Sequence, residues 1–164
     1  MIQKKICLLG ASAVGKTSLV SRFVHSIFSD KYLTTVGVKI DKKGLDVDGR
    51  PVDLVIWDIY GEDDFQKVRT SYLRGAAGYL LVVDGTRRAT LDTAIGLRAT
   101  AEQTIGRTPF VMVVNKMDLA DNWELNDTLL REYSQKGWPV TRTSAKTGDG
   151  VENAFADLAR AMLV

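Results

Sequence analysis

A chain of 164 residues, 45% hydrophobic and with a single cysteine, has room for one buried core and no means of closing it with an intramolecular disulfide or a multi-cysteine zinc cluster. Its 22 Lys and Arg against 20 Asp and Glu leave a formal net charge of +2 with no run of five or six like charges, which argues against nucleic acid as the main partner. No apolar stretch is long enough to span a bilayer and no secretory leader is visible, so one cytoplasmic domain over residues 1–164 is expected.

The first continuous apolar run, Ile6-Cys7-Leu8-Leu9, reads as a strand buried on both faces, with Cys7 as a small core hydrophobe. It leads straight into Gly10-Ala11-Ser12-Ala13-Val14-Gly15-Lys16-Thr17, a full G-x-x-x-x-G-K-[ST] pattern, with Ser18 opening the helix-periodic stretch Leu19, Val20, Phe23, Val24 and Ile27. Glycines at both ends of such a loop let the backbone N–H groups of Ser12 to Ser18 curl around phosphate, and the helix start adds its positive end. Lys16 reaches β- and γ-phosphate oxygens and the Thr17 hydroxyl can hold Mg²⁺, so a nucleoside triphosphate is the implied ligand.

Val36 to Val47 and Val52 to Trp57 are strand-like runs joined through Asp48-Gly49, a hairpin signal that predicts one antiparallel edge strand. Leu54 to Trp57, Tyr79 to Val83 and Phe110 to Val114 are further buried runs. Trp138-Pro139-Val140-Thr141 reads as a short last strand, and Val151, Phe155, Leu158, Ala159 and Met162 as the stripe of a last helix. Strands alternating with helices predict an α/β sheet covered on both faces, in which ligands bind beyond the carboxyl ends of the strands. The polar residues there are Gly10, Asp58, Asp84 and Asn115. Arg87 and Arg88, after Asp84-Gly85-Thr86, read as a solvated face, His25 as a surface residue, and Trp57, Trp123 and Trp138 as core or strand residues.

Asn115-Lys116-Met117-Asp118 follows the fourth buried run directly. An Asp carboxylate accepts two hydrogen bonds from the N1–H and N2–H₂ edge of guanine, a donor pair that adenine lacks, and sites built on such pairs discriminate by orders of magnitude. Downstream of a phosphate loop, the pattern specifies GTP over ATP.

At this point the chain resembles the Ras and Rab families of small GTPases over essentially its whole length. Gly10 to Thr17, Thr35, Asp58-x-x-Gly61, Asn115-Lys116-x-Asp118 and Ser144-Ala145-Lys146 match the family motifs in order. Thr35-Val36-Gly37-Val38, Ile56-Trp57-Asp58 and Tyr72-Leu73-Arg74-Gly75-Ala76 draw it toward the Rab branch. The resemblance implies a P-loop NTPase G domain: a mostly parallel six-stranded sheet with one antiparallel edge strand and helices on both faces. It implies that Phe28 stacks on guanine, that Lys116 and Lys146 lie along base and ribose beside Ser144, and that the Ala145 N–H meets the guanine O6. Tyr32 would close over the phosphates, and Mg²⁺ would be held by Thr17, Thr35 and, through water, Asp58. Thr35 and Gly61 would contact the γ-phosphate, so that switch I (about 30–38) and switch II (about 59–72) change order on hydrolysis. Effectors, an exchange factor and an activating protein would read those segments on a monomeric protein.

One position departs from the family. Asp58-Ile59-Tyr60-Gly61-Glu62-Asp63-Asp64 carries Glu62 where a water-orienting Gln is usual. A carboxylate only accepts hydrogen bonds and brings negative charge toward phosphate, yet it accepts a water's proton better than an amide, so chemistry alone does not fix the sign. An activating protein's arginine usually works with that Gln, and Arg69 is an internal substitute to consider, though a solvated helix arginine is its default reading. The catalytic set is therefore Lys16, Thr35, Gly61 and Glu62. The expected function is a switch that binds GTP or GDP with Mg²⁺ and hydrolyses GTP; the alternatives are a GTP-loaded interaction module and the G domain of a larger protein. Ala161-Met162-Leu163-Val164 offers no cysteine for a prenyl anchor, so recruitment to membranes by a partner is expected rather than direct lipidation.

Overall fold

Alternation of side chains along the strands sorts the apolar residues into two layers, one on each face of a single sheet. The computed structural model describes residues 2–26, 38–59 and 70–163. In chain order these form β1 (Ile2–Gly10), α1 (Lys16–His25), β2 (Val38–Val47), β3 (Arg50–Ile59), β4 (Gly78–Asp84), α2 (Ala89–Ile105), β5 (Phe110–Asn115), α3 (Asp127–Gln135), β6 (Val140–Arg142) and α4 (Val151–Met162). Short 3₁₀ turns occupy Thr70–Leu73 and Met117–Asn122.

The six strands lie in the order β2-β3-β1-β4-β5-β6, parallel except for β2, which is the antiparallel edge strand expected from the sequence. Ile6, Leu8, Leu54, Ile56, Leu80, Val82, Val111 and Val113 share one face with Phe23 of α1 and Phe155, Leu158 and Ala159 of α4. Cys7, Leu9, Tyr79, Leu81, Val83, Met112 and Val114 share the other with Leu91, Ala94 and Ala101 of α2 and Leu130 of α3. Every residue of β4 is buried, as a central parallel strand covered on both sides requires.

The β2–β3 hairpin closes through Asp48 (φ 53°) and Gly49 (φ 85°), with Val47 opposite Arg50. Two left-handed residues in a two-residue loop match the right-handed twist of the strands. The last strand begins two residues later than the sequence suggests: Trp138 and Pro139 lie outside it, although the Pro139 carbonyl still accepts from Met112 N–H at 2.8 Å. The tryptophans also differ from expectation. Only Trp57 lies in a strand and all three are half-buried, because a large indole with an N–H donor packs best where one edge meets water or a polar partner. Trp57 is capped by the Lys5 ammonium, 3.6 Å from the ring centre. His25 is exposed, as expected, 3.7 Å from Asp41. Ile27 lies outside the described residues.

Candidate nucleotide site

Parallel strands bring Gly10, Asp58, Asp84 and Asn115 to one edge of the sheet, through the registers Leu8 to Asp58, Gly10 to Val82 and Asp84 to Asn115. The loop between β1 and α1 is shaped by its glycines. A side chain at Gly10 would sit 2.5 Å from the Val82 carbonyl, and one at Gly15 would strike the Asn115 amide at 2.3 Å on a backbone already left-handed at φ 101°. Gly15 is also the N-cap of α1. Among the described residues no side chain caps that helix, and its first turn has no acidic residue, which leaves its leading N–H groups suited to an external anion.

Lys16 is buried and folds back on the loop, donating to the carbonyls of Gly10 (3.1 Å) and Ala11 (3.2 Å). Burial lowers its ammonium to about 8, against the opposing pull of Asp58. The Thr17 hydroxyl donates to Asp58 Oδ2 at 2.5 Å. Asp58 is 1% exposed and, among the described residues, its Oδ1 has no hydrogen-bond partner. Burial pushes this carboxyl up from its ordinary value, more than Thr17, Lys16 and Lys39 pull it down. A buried acid in that condition favours a nearby cation.

Asn115 joins the phosphate loop to the loop after β6. Its Nδ2 donates to the Val14 carbonyl at 3.0 Å, and its Oδ1 accepts from the Thr143 hydroxyl at 3.0 Å and the Ala145 N–H at 3.3 Å. Asp118 stands exposed in the turn Met117–Asn122, with Oδ1 accepting from the Ser144 hydroxyl at 2.8 Å, and Ser144 Oγ in turn accepts from the Thr147 N–H at 3.1 Å. Arg22, on α1, holds the same loop from below by donating to the carbonyls of Ala145 (2.8 Å) and Lys146. The Lys146 side chain is exposed. Trp123 seats its indole against Gly85, where any side chain would collide at 2.2 Å, and donates Nε1–H to the Lys116 carbonyl at 2.8 Å. That contact braces the turn carrying Asp118.

The ammonium of Lys116 reaches the Ala13 carbonyl (3.1 Å) and Asp84 Oδ2 (2.8 Å), so its charged end belongs to the phosphate loop. Asp84 is a hub. Besides Lys116 it accepts from the Thr86 hydroxyl and N–H at 2.6 and 2.9 Å and from Arg87 Nε at 2.9 Å. Burial pushes its carboxyl up, but the hydrogen bonds from Lys116, Thr86 and Arg87 more than offset this and hold it below the ordinary value. Arg87, expected on a solvated face, also donates to the Ser12 carbonyl at 2.9 Å. Its place at the strand end was visible in the sequence. Its second partner, 75 positions away, was not. Phe28, Tyr32, Thr35, Gly61, Glu62 and Arg69 lie outside the described residues, as do most of switches I and II.

This arrangement of loop, helix start and guanine-type carboxylate has relatives. The Ras family model matches residues 5–164. The chain belongs to the Ras family. Ras-related protein RabG2 of Dictyostelium discoideum is 36% identical over 157 residues, covering 94% of this chain and 80% of that protein. GTP-binding protein yptV2 of Volvox carteri is 34% identical over 97% of this chain and 75% of its own length, and Ras-related protein Rab-13 of Canis lupus familiaris 30% over 98% and 80%. The chain is thus a Rab-like small GTPase, a GTP-binding molecular switch of the kind that works through regulators and effectors. Among the described residues of this Ras-family chain, no helix is long and apolar enough to cross a membrane.

Proposed function

We propose that residues 1–164 act as one G domain in which Ser12 to Ser18 hold the nucleotide phosphates, and Phe28, Asn115, Lys116, Asp118 and Ser144 to Lys146 hold guanine and ribose. The observation that carries this reading is Asn115. Its one amide side chain bonds both the phosphate loop at Val14 and the base-side loop at Ala145, fixing the distance between the two halves of a single ligand. Asp118 supplies the acceptor that guanine needs and adenine cannot satisfy. Lys16, lowered to about 8 by burial, is a cation that neighbouring phosphate oxygens would stabilise.

The residues present fit a magnesium ion. Asp58 is a buried carboxylate beside the Thr17 hydroxyl whose second oxygen has no partner among the described residues, and a cation would restore its ionised form. Thr17, Thr35 and, through water, Asp58 would hold Mg²⁺, which when bound neutralises charge on the phosphate oxygens. The chain's own groups do the rest. The loop amides and Lys16 would orient the γ-phosphoryl group, with Tyr32 and Thr35 to cover it and the Gly61 N–H to donate to it. Glu62 would serve the attacking water as an acceptor and take its proton, replacing orientation by an amide with general-base assistance. Effectors, an exchange factor and an activating protein meet the monomeric chain at 30–38 and 59–72.

Single-turnover hydrolysis of preloaded GTP, wild type beside Glu62→Gln, tests the reading. The expected result is wild-type hydrolysis as fast as that of Glu62→Gln or faster. GTP that persists in wild type while Glu62→Gln turns it over would instead make the chain a GTP-held interaction module that a partner must reset.

A further inference from the structure

Two cations bound to one buried carboxylate grip consecutive carbonyls of the phosphate loop. Lys116 reaches from Asp84 to the Ala13 carbonyl, and Arg87 reaches from Asp84 to the Ser12 carbonyl. Ala13, between them, has φ 62°, a left-handed conformation that a residue with a Cβ adopts only when its surroundings impose it. The peptide unit is planar and trans, so each C=O fixes the N–H that follows it in the opposite direction. A Ser12 carbonyl held toward Asp84 therefore turns the Ala13 N–H away from Asp84, and the Ala13 carbonyl does the same for the Val14 N–H. Released, either peptide could rotate and offer an acceptor where a phosphate needs a donor.

We propose that Arg87 is a positioning residue for the bound nucleotide: paired with Asp84, it pins the Ser12 carbonyl and so aims the Ala13 N–H at the phosphate chain. The inference rests on the reading that Ser12 to Ser18 hold phosphate. Asp84 serves Arg87 as an anchor, buried and held ionised by Lys116, Thr86 and Arg87 together. The arrangement couples the loop after β4 to the phosphate turn 75 residues earlier. Among the described residues the neighbouring Arg88 makes no such contact through its side chain; its backbone N–H donates to Glu124 at 2.8 Å.

The test compares Arg87→Met, which keeps the aliphatic stem without the charge, Arg87→Lys, which keeps a cation able to touch two acceptors as Lys116 does, and Arg88→Met. Release of fluorescent GDP and single-turnover GTP hydrolysis are measured on each, beside thermal melting. Arg87→Met is expected to release GDP about tenfold faster, the size of one charge-assisted hydrogen bond, and to hydrolyse bound GTP more slowly. Arg87→Lys is expected near wild type and Arg88→Met unchanged. Release and hydrolysis at wild-type rates in Arg87→Met, with or without a lower melting temperature, would overturn the proposal, as would Arg87→Lys being as impaired as Arg87→Met. Lys16→Ala separates the two levels. If wild type and Lys16→Ala bind GDP equally, the phosphate-loop reading itself fails and the role of Arg87 goes with it; if Lys16→Ala alone loses binding, the Arg87 comparison stands on its own.

Discussion

At the scale of single residues, Asp118 shows how one acceptor-only side chain can choose a base. Its Oδ1 is steadied by Ser144 while the carboxylate itself stays exposed. Two hydrogen bonds to a charged acceptor are each worth about 1.5–3 kcal/mol, so losing both should weaken binding by about 10² to 10⁴. Asp118→Ala is accordingly expected to lose guanine affinity by at least about 100-fold in competition against fluorescent GDP, and to lose its preference over ATP while keeping a residual phosphate-driven affinity. Retained guanine selectivity in that variant would move base recognition elsewhere. Residues of this kind were legible in the sequence because the chemistry lies in the spacing: Gly10 to Thr17 and Asn115 to Asp118 are contiguous and stand at strand ends. Arg87 and Arg22 were not legible, since the acceptors that give them a role lie at Ser12 and at Ala145 and Lys146, far away along the chain. A lone arginine in a loop looks solvated until the fold brings a carbonyl to it.

At the scale of elements, the helix that begins at the phosphate loop is held against the last helix by a ring pair. Phe23 of α1 and Phe155 of α4 stack at 4.0 Å with an interplanar angle of 2°, and Phe155 is fully buried. Removing such a ring costs its transfer free energy and leaves a cavity, about 3–5 kcal/mol in all, so Phe155→Ala should lower stability by that amount in urea unfolding of the GDP-bound protein. Phe23→Ala should cost less, because Phe23 lies nearer the surface and also receives the Lys43 ammonium 5.7 Å from its ring. The double variant should fall short of the sum by about 1 kcal/mol, the share belonging to the ring contact. Full additivity would mean that the helices are held by burial alone. Both stripes were readable at helical spacing, and so were the four continuous apolar strands. Less visible were α2 and α3. The buried residues of α2 are Thr90, Leu91, Ala94 and Ala101, mostly small side chains that leave little periodic signal, whereas α3 is amphipathic but short and fully buries only Leu130.

At the scale of the whole molecule, the two cores meet across a sheet whose central strands carry the site at their ends, so ligand affinity and global stability are linked. Cys7 reports that linkage. It lies in β1 between β3 and β4, wholly buried, with its Sγ 3.6 Å from the Tyr72 carbonyl. Burial pushes the thiol up to about 12, with only a partial counter-pull from Lys5. A thiol so placed is neither ionised nor reachable at neutral pH, and modification must wait for the sheet to open. Nucleotide binds the closed form, so GDP at 1,000 times its dissociation constant should deepen the closed state by about 4 kcal/mol. When reclosing is faster than modification, the labelling rate follows the open population. Adding that much GDP should therefore slow reaction of Cys7 with a thiol reagent about 1,000-fold, while the denatured protein reacts at once with or without nucleotide. Labelling that ignores GDP would mean that Cys7 is exposed by a local opening beside Tyr72, uncoupled from the nucleotide, and that the strand ends bind their ligand without drawing on the rest of the sheet.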